Sequence, residues 1–91
     1  MDIALGQIVV SKAGRDAGRR FIVIKVIDDL HVQITDGDLR RVEKPKKKKV
    51  KHLEQTGEVA ETIRKKLTSD ARVTNPEVRK ALAGHKSVPE D

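Results

Sequence analysis

The chain has no cysteine, tryptophan or tyrosine, and Phe21 is its one phenyl ring. Without cysteine there is neither a disulfide framework nor a thiolate metal site. The three histidines, His31, His52 and His85, stand alone at wide spacing. No apolar run approaches the roughly 20 residues that cross a bilayer. The opening stretch from Met1 to Gly6 lacks the basic start of a secretory signal, so the expected location is the cytoplasm. Of 91 residues only 36% are apolar and 37% are charged, which limits the chain to one small domain.

What is abundant is positive charge: 20 Lys and Arg stand against 14 Asp and Glu. Residues 1 to 56 hold 13 of those bases and 8 acids, whereas residues 57 to 91 hold 7 and 6. The positive field therefore belongs to the first part. Lys44, Lys46, Lys47, Lys48, Lys49 and Lys51 form a run, and Arg15, Arg19, Arg20, Arg40 and Arg41 form a second, guanidinium-rich set. Such a surface attracts polyanions.

The apolar pattern of that basic part is one of strands. Gln7 to Val10 reads as the first, and Arg19 to Ile27 as the second. The second is apolar on both faces through Phe21-Ile-Val-Ile24, as a central, covered strand must be. After a turn at Asp28-Asp29, Leu30 to Ile34 alternates, with Val32 and Ile34 on one face and His31 and Gln33 on the other. Asp36-Gly37 offers another turn, and Arg40 to Glu43 and Lys49 to Leu53 read as short strands around Pro45. Five short strands with no helix between them predict a mainly β fold, a small antiparallel barrel over residues 1–56. From Thr56, a candidate N-cap, the period changes: Val59, Ile63 and Leu67 recur every four residues, and Asn75-Pro76-Glu77 opens a second helix that stops at Gly84. Residues 57–91 are thus expected to be a short helical extension, fraying from Ser87 to Asp91.

Two stretches are candidate sites. Ser11 to Arg20 is a loop with Gly14 and Gly18 and the cations Lys12, Arg15, Arg19 and Arg20. It lacks the Gly-Lys-Ser/Thr ending of a phosphate-binding loop and leads into a strand, so neither nucleotide hydrolysis nor dinucleotide binding follows. A hairpin loop with two left-handed positions would by itself explain both glycines, and Asp16 suits a turn-forming acceptor. The lysine run is the other candidate. A lipid surface is disfavoured, because no amphipathic helix with large apolar anchors adjoins the run and no lipidation signal is visible. Six lysine–phosphate contacts would lower affinity by roughly 10² to 10³ between about 50 and 200 mM salt. With Phe21 placed in the core, stacking on aromatic rings cannot lead recognition, which leaves phosphate contacts to a nucleic acid. The histidines and the turn acids Asp28, Asp29, Asp36 and Asp38 assemble neither a catalytic nor a metal site. No enzyme, cofactor or small-molecule substrate is expected.

Gly6-Gln-Ile-Val-Val10, the glycine loop through Gly18-Arg19 and the apolar strand ending at Val26-Ile-Asp-Asp29 resemble a KOW motif, with Gly18 at the hallmark glycine. The continuation through Gly37 into basic residues, with the match running to about residue 53, is similar to large-subunit ribosomal proteins of the eukaryotic and archaeal fourteen-e, six-e and twenty-seven-e group. A short chain of this kind with a helical extension looks most like the KOW-domain RNA-binding proteins related to that group in some bacteria. The resemblance implies an SH3-like, Tudor-like barrel and a partner of structured RNA, ribosomal RNA first. Lys12, Arg15, Arg19 and Arg20 would be contacts on a loop shaped by Gly14 and Gly18, joined by Arg40, Arg41, Lys44, Lys46, Lys47, Lys48, Lys49 and Lys51. The alternatives are a KOW-type protein-interaction module of the transcription or translation machinery, a nonspecific DNA-coating protein and a binder of anionic membranes. The oligomeric state, the RNA element and whether the helices pack on the barrel stay open.

Overall fold

The computed structural model describes residues 3–84. Five strands, β1 (Gln7–Ser11), β2 (Arg20–Val26), β3 (His31–Thr35), β4 (Lys46–Lys49) and β5 (Leu53–Val59), precede two helices, α1 (Glu61–Thr68) and α2 (Asn75–Gly84). All strand pairs are antiparallel, in the order β4-β3-β2-β1-β5, so β2 is central, as its apolar pattern predicts. The register is interrupted between Gln7 and Val9 and between Val23 and Lys25. Such bulges bend strands and sharpen twist, and the sheet here curls into a small barrel of SH3-like form.

The two faces of β2 explain its unbroken apolar run. Phe21 and Val23 point into the barrel with Val9, Val32, Ile34, Val50 and Leu53. Ile22 points the other way, with Ile8, with Ala60 just before α1, and with the helix residues Ile63 and Val78. Without the helices, Ile8 and Ile22 would face water, and burying each such side chain is worth about 1.5–3 kcal/mol. The helices therefore pack on the barrel.

The docking of α2 is specific. Gly37 has φ 74°, and a Cβ there would lie 2.5 Å from the Asn75 carbonyl oxygen. Only glycine allows both the left-handed turn and this close approach. The Gly37 carbonyl accepts from Arg79 Nη1 at 2.6 Å. Asn75 Oδ1 accepts from the Val42 N–H, and its Nδ2 donates to Glu43 Oε1, both at 2.8 Å.

Four local expectations are corrected. Thr56 lies within β5, where its hydroxyl donates to the Ile8 carbonyl; α1 begins only after Ala60. Asn75 is spent on the 42–43 loop, and the cap of α2 is Thr74. Its N–H donates to Glu77 Oε1 and its Oγ1 accepts from the Glu77 N–H, a capping box. Residues 40 to 43 form no strand, because Arg40 closes a turn whose Asp36 and Gly37 N–H groups both donate to its carbonyl. Residues 49 to 53 are likewise not one strand: β4 ends at Lys49, a 3-10 turn spans Val50–His52, and β5 starts at Leu53. The count of five holds because the lysine run is itself a strand. His85 and residues 87–91 lie outside the described residues.

Candidate nucleic-acid interface

The loop between β1 and β2 closes on itself through its backbone. Gly18 N–H donates to Ser11 O at 2.7 Å, Arg19 N–H to Asp16 O at 2.9 Å, and Ser11 N–H to Arg19 O at 3.0 Å. Gly14 has φ 77° and Gly18 φ 87°. A side chain on Gly18 would meet no atom within 4 Å, so its backbone conformation alone calls for glycine.

The Asp16 side chain is not a local turn acceptor. It is buried, and its Oδ2 accepts from Arg40 Nε at 3.1 Å and Nη2 at 2.9 Å. Asp36 is buried beside it in the fold's turn at 36–40. Burial alone would raise its pKa, yet the N–H groups of Arg40 and Asp38 and the Arg19 guanidinium together hold it below the usual carboxylate value. Arg19 Nη2 reaches Asp36 at 3.2 Å and Arg20 Nη2 reaches Glu58 at 3.2 Å, whereas Arg41 lies 3.9 Å from Glu43 in the open. Arg19 and Arg20 also line a hollow with Arg79 and Leu82 of α2. These arginines are tied to acids of the fold itself. Lys12, Arg15, Lys44, Lys46, Lys47, Lys49 and Lys51 make no ion pair among the described residues.

The lysine run lies at one end of the strand order, with Lys49 opposite His31 and Lys47 opposite Gln33. Lys47 and Lys49 are exposed, and Lys46 and Lys48 half-buried. Lysines on an edge strand also discourage pairing with another chain. The run meets the glycine loop at two points: Lys48 Nζ donates to Ala13 O at 3.1 Å, and Lys12 N–H donates to His52 O at 2.8 Å. His52 reports their common field. Its pKa is lowered first by desolvation, then by the charges of Lys51, Lys48, Lys49 and Lys12. Four candidates from two separate chain segments thus act on one imidazole.

What sequence reasoning missed is the anchoring role of Asp16 and Asp36. The available signal was an acid in the middle of a basic loop, and another at a turn preceding Arg40. Among the described residues no group of three or more His, Asp or Glu could hold a metal ion, and no helix is long and apolar enough to cross a membrane.

The chain matches no protein-family model. It is similar to large ribosomal subunit protein eL14 of Desulfurococcus amylolyticus, 43% identical over 54 residues, which cover 59% of this chain and 56% of that protein. It is also similar to large ribosomal subunit protein eL14 of Staphylothermus marinus, 36% identical over 62 residues, covering 68% of this chain and 65% of the relative. The chain therefore spans less than two thirds of the length of the curated relatives it matches.

Proposed function

We propose that the protein is a non-enzymatic RNA-binding member of the translation apparatus, a KOW-type barrel that contacts ribosomal RNA in the cytoplasm. The observation that carries this reading is the joining of the glycine loop to the lysine run, through the Lys12 N–H on the His52 carbonyl and Lys48 Nζ on the Ala13 carbonyl, in a chain similar to two large-subunit ribosomal proteins. Like charges gathered along this edge of the barrel repel one another. A phosphate backbone laid across them relieves that repulsion and releases counterions, which makes binding salt-dependent.

Lys12, Arg15, Lys44, Lys46, Lys47, Lys49 and Lys51 supply the principal phosphate contacts. Lys48 holds the loop to β4 while adding its charge. Arg19, Arg20 and Arg41 contribute secondarily, since each shares its guanidinium with an acid, and Arg40 is committed to buried Asp16. The barrel through β5 forms the binding unit, with Gly14 and Gly18 shaping its loop, and α1 and α2 brace it. Specificity comes from RNA shape and from the assembly around it.

The test is sedimentation of the full chain with purified large ribosomal subunits at low and high salt, with and without nuclease. Cosedimentation that is lost on nuclease treatment supports the reading. Association that survives both nuclease and high salt overturns it in favour of a protein-interaction module.

A further inference from the structure

The turn joining β2 to β3 carries apolar side chains that the barrel does not use. Val26, Ile27 and Leu30 are 44%, 38% and 68% exposed. Beside them is a hollow of about 310 Å³ lined by Asp29, Leu30, His31, Lys49, Val50 and Lys51. It is therefore apolar at the exposed Leu30 side chain, cationic along the lysine side and acidic at one point. Its frame is fixed: Asp28 Oδ1 accepts from the N–H groups of Leu30 and His31, both at 2.8 Å, and lies 3.0 Å from His31 Nδ1. The Val50 N–H donates to the Leu30 carbonyl at 2.8 Å, which locks the 3-10 turn to the hairpin.

We propose that this hollow takes a single unpaired guanine base of the bound RNA, an inference that rests on the RNA-binding reading above. The charge pattern selects the occupant. Lys49 and Lys51 suit the phosphate of the same nucleotide, and the exposed Leu30 side chain suits one face of a flat base that must leave water. Asp29 then decides which base. A carboxylate only accepts hydrogen bonds. Guanine alone presents two adjacent donors on its pairing edge, N1–H and the 2-amino group, which match the two oxygens of one carboxylate. Uracil offers one donor between two carbonyls that the carboxylate repels, and adenine and cytosine each set a ring acceptor beside their amino group. Lysine-led phosphate contact supplies affinity, and this hollow supplies a point of sequence reading that the scarcity of aromatic rings would not suggest.

The experiment measures binding of the full chain to three RNA hairpins of equal length and charge: one with a single bulged guanosine, one with a bulged uridine and one fully paired. The guanosine bulge is expected to bind about tenfold tighter than the uridine bulge, within the range of one good bidentate base contact. Asp29→Asn should bring the two bulged hairpins close to equality. Leu30→Ala should weaken both bulged hairpins while leaving the paired one unchanged. Both positions are exposed turn sites, and unchanged thermal melting confirms that each variant is folded. Equal affinity of the unmodified protein for all three hairpins overturns the base site and leaves the phosphate-binding reading intact. Failure to bind any of them even in dilute salt overturns both.

Discussion

Replacing Arg40 with glutamine separates a structural guanidinium from a phosphate-binding one. Arg40 directs two N–H groups at a single oxygen of Asp16, at 3.1 and 2.9 Å. The side chain of Asp16 is 6% exposed and that of Arg40 31%. Removing one member of a fully buried pair costs about 3–5 kcal/mol, because a desolvated charge is left behind, whereas exposed pairs are worth about 0–1. With the acid buried and the base partly wet, Arg40→Gln should lose about 2 kcal/mol, a fall in Tm of roughly 8–16 °C for a domain of this size. Asp16→Asn should cost less, since it leaves Arg40 free to reach solvent. The double variant should be more stable than the sum of the single losses, by about 1 kcal/mol of coupling. Urea denaturation of the four proteins measures the cycle. The second readout is RNA binding: the double variant keeps the net charge, so its salt slope should equal that of the unmodified protein. A loss below about 0.5 kcal/mol for Arg40→Gln would refute the anchoring role. A salt slope reduced by about one in the double variant would instead make Arg40 a direct phosphate contact.

Changing Lys12, Lys47, Lys49 and Lys51 together to glutamine should flatten the slope of log affinity against log salt by about 3, equivalent to a loss of roughly 50-fold less affinity between about 50 and 200 mM salt. Stability should be unchanged or slightly raised, and an unaltered slope would remove these lysines from the interface. The imidazole of His52 sits below its ordinary value of 6.5, held there by desolvation and then by the nearby ammonium groups. The folded state thus favours the neutral ring, and the stability this gives is present above about pH 6.5 and is lost as pH falls through the lowered value. Bound phosphates should raise that value, so an NMR titration of His52 with RNA should shift upward; a downward shift or none would place the RNA elsewhere. Gly37→Ala should cost about 2–3 kcal/mol in urea denaturation, combining the left-handed backbone penalty of about 1–2 with the clash against the Asn75 carbonyl. Gly57→Ala, with φ 83° and open space around it, should cost about 1–2 kcal/mol from backbone alone; equal losses would mean that α2 yields without cost.

The parts of the fold legible in the sequence are those where local pattern and tertiary demand coincide. Phe21 to Ile24 announced a two-sided strand because two separate cores needed it, and Val32 and Ile34 announced a half-covered one. The pattern failed where a residue's role depends on something distant in the chain. Thr56 looks like a helix cap, but β1 claims its hydroxyl through Ile8; Asn75 looks like one too, but the 42–43 loop claims its amide. Four consecutive lysines carry no strand signal of their own. They are extended because β3 offers a ladder to pair with, and tertiary context outweighs weak propensity. For the candidate interface, sequence listed the cations but could not rank them, since the acids that occupy Arg19, Arg20 and Arg40 lie 17 to 38 residues away.

That ranking follows from the chemistry of the two cations. A guanidinium is planar, weakly hydrated and forked, so it can direct two donors at a buried carboxylate at once, as Arg40 does at Asp16 Oδ2. An ammonium is strongly hydrated and sits on a flexible stem, so it does better in water, where it can follow a phosphate. The fold uses each accordingly. Its arginines tie the loop and the 36–40 turn to buried acids, and Lys48 ties the loop to β4. The backbone that carries Lys12 and Arg15 is therefore ordered before any ligand arrives. Fixing a flexible loop at the moment of binding would cost conformational entropy that a pre-ordered loop does not lose again. The acids of the basic half, which on a simple charge count only weaken attraction for RNA, act through this route in the opposite direction: by holding the arginines, they hold the loop on which the free cations stand.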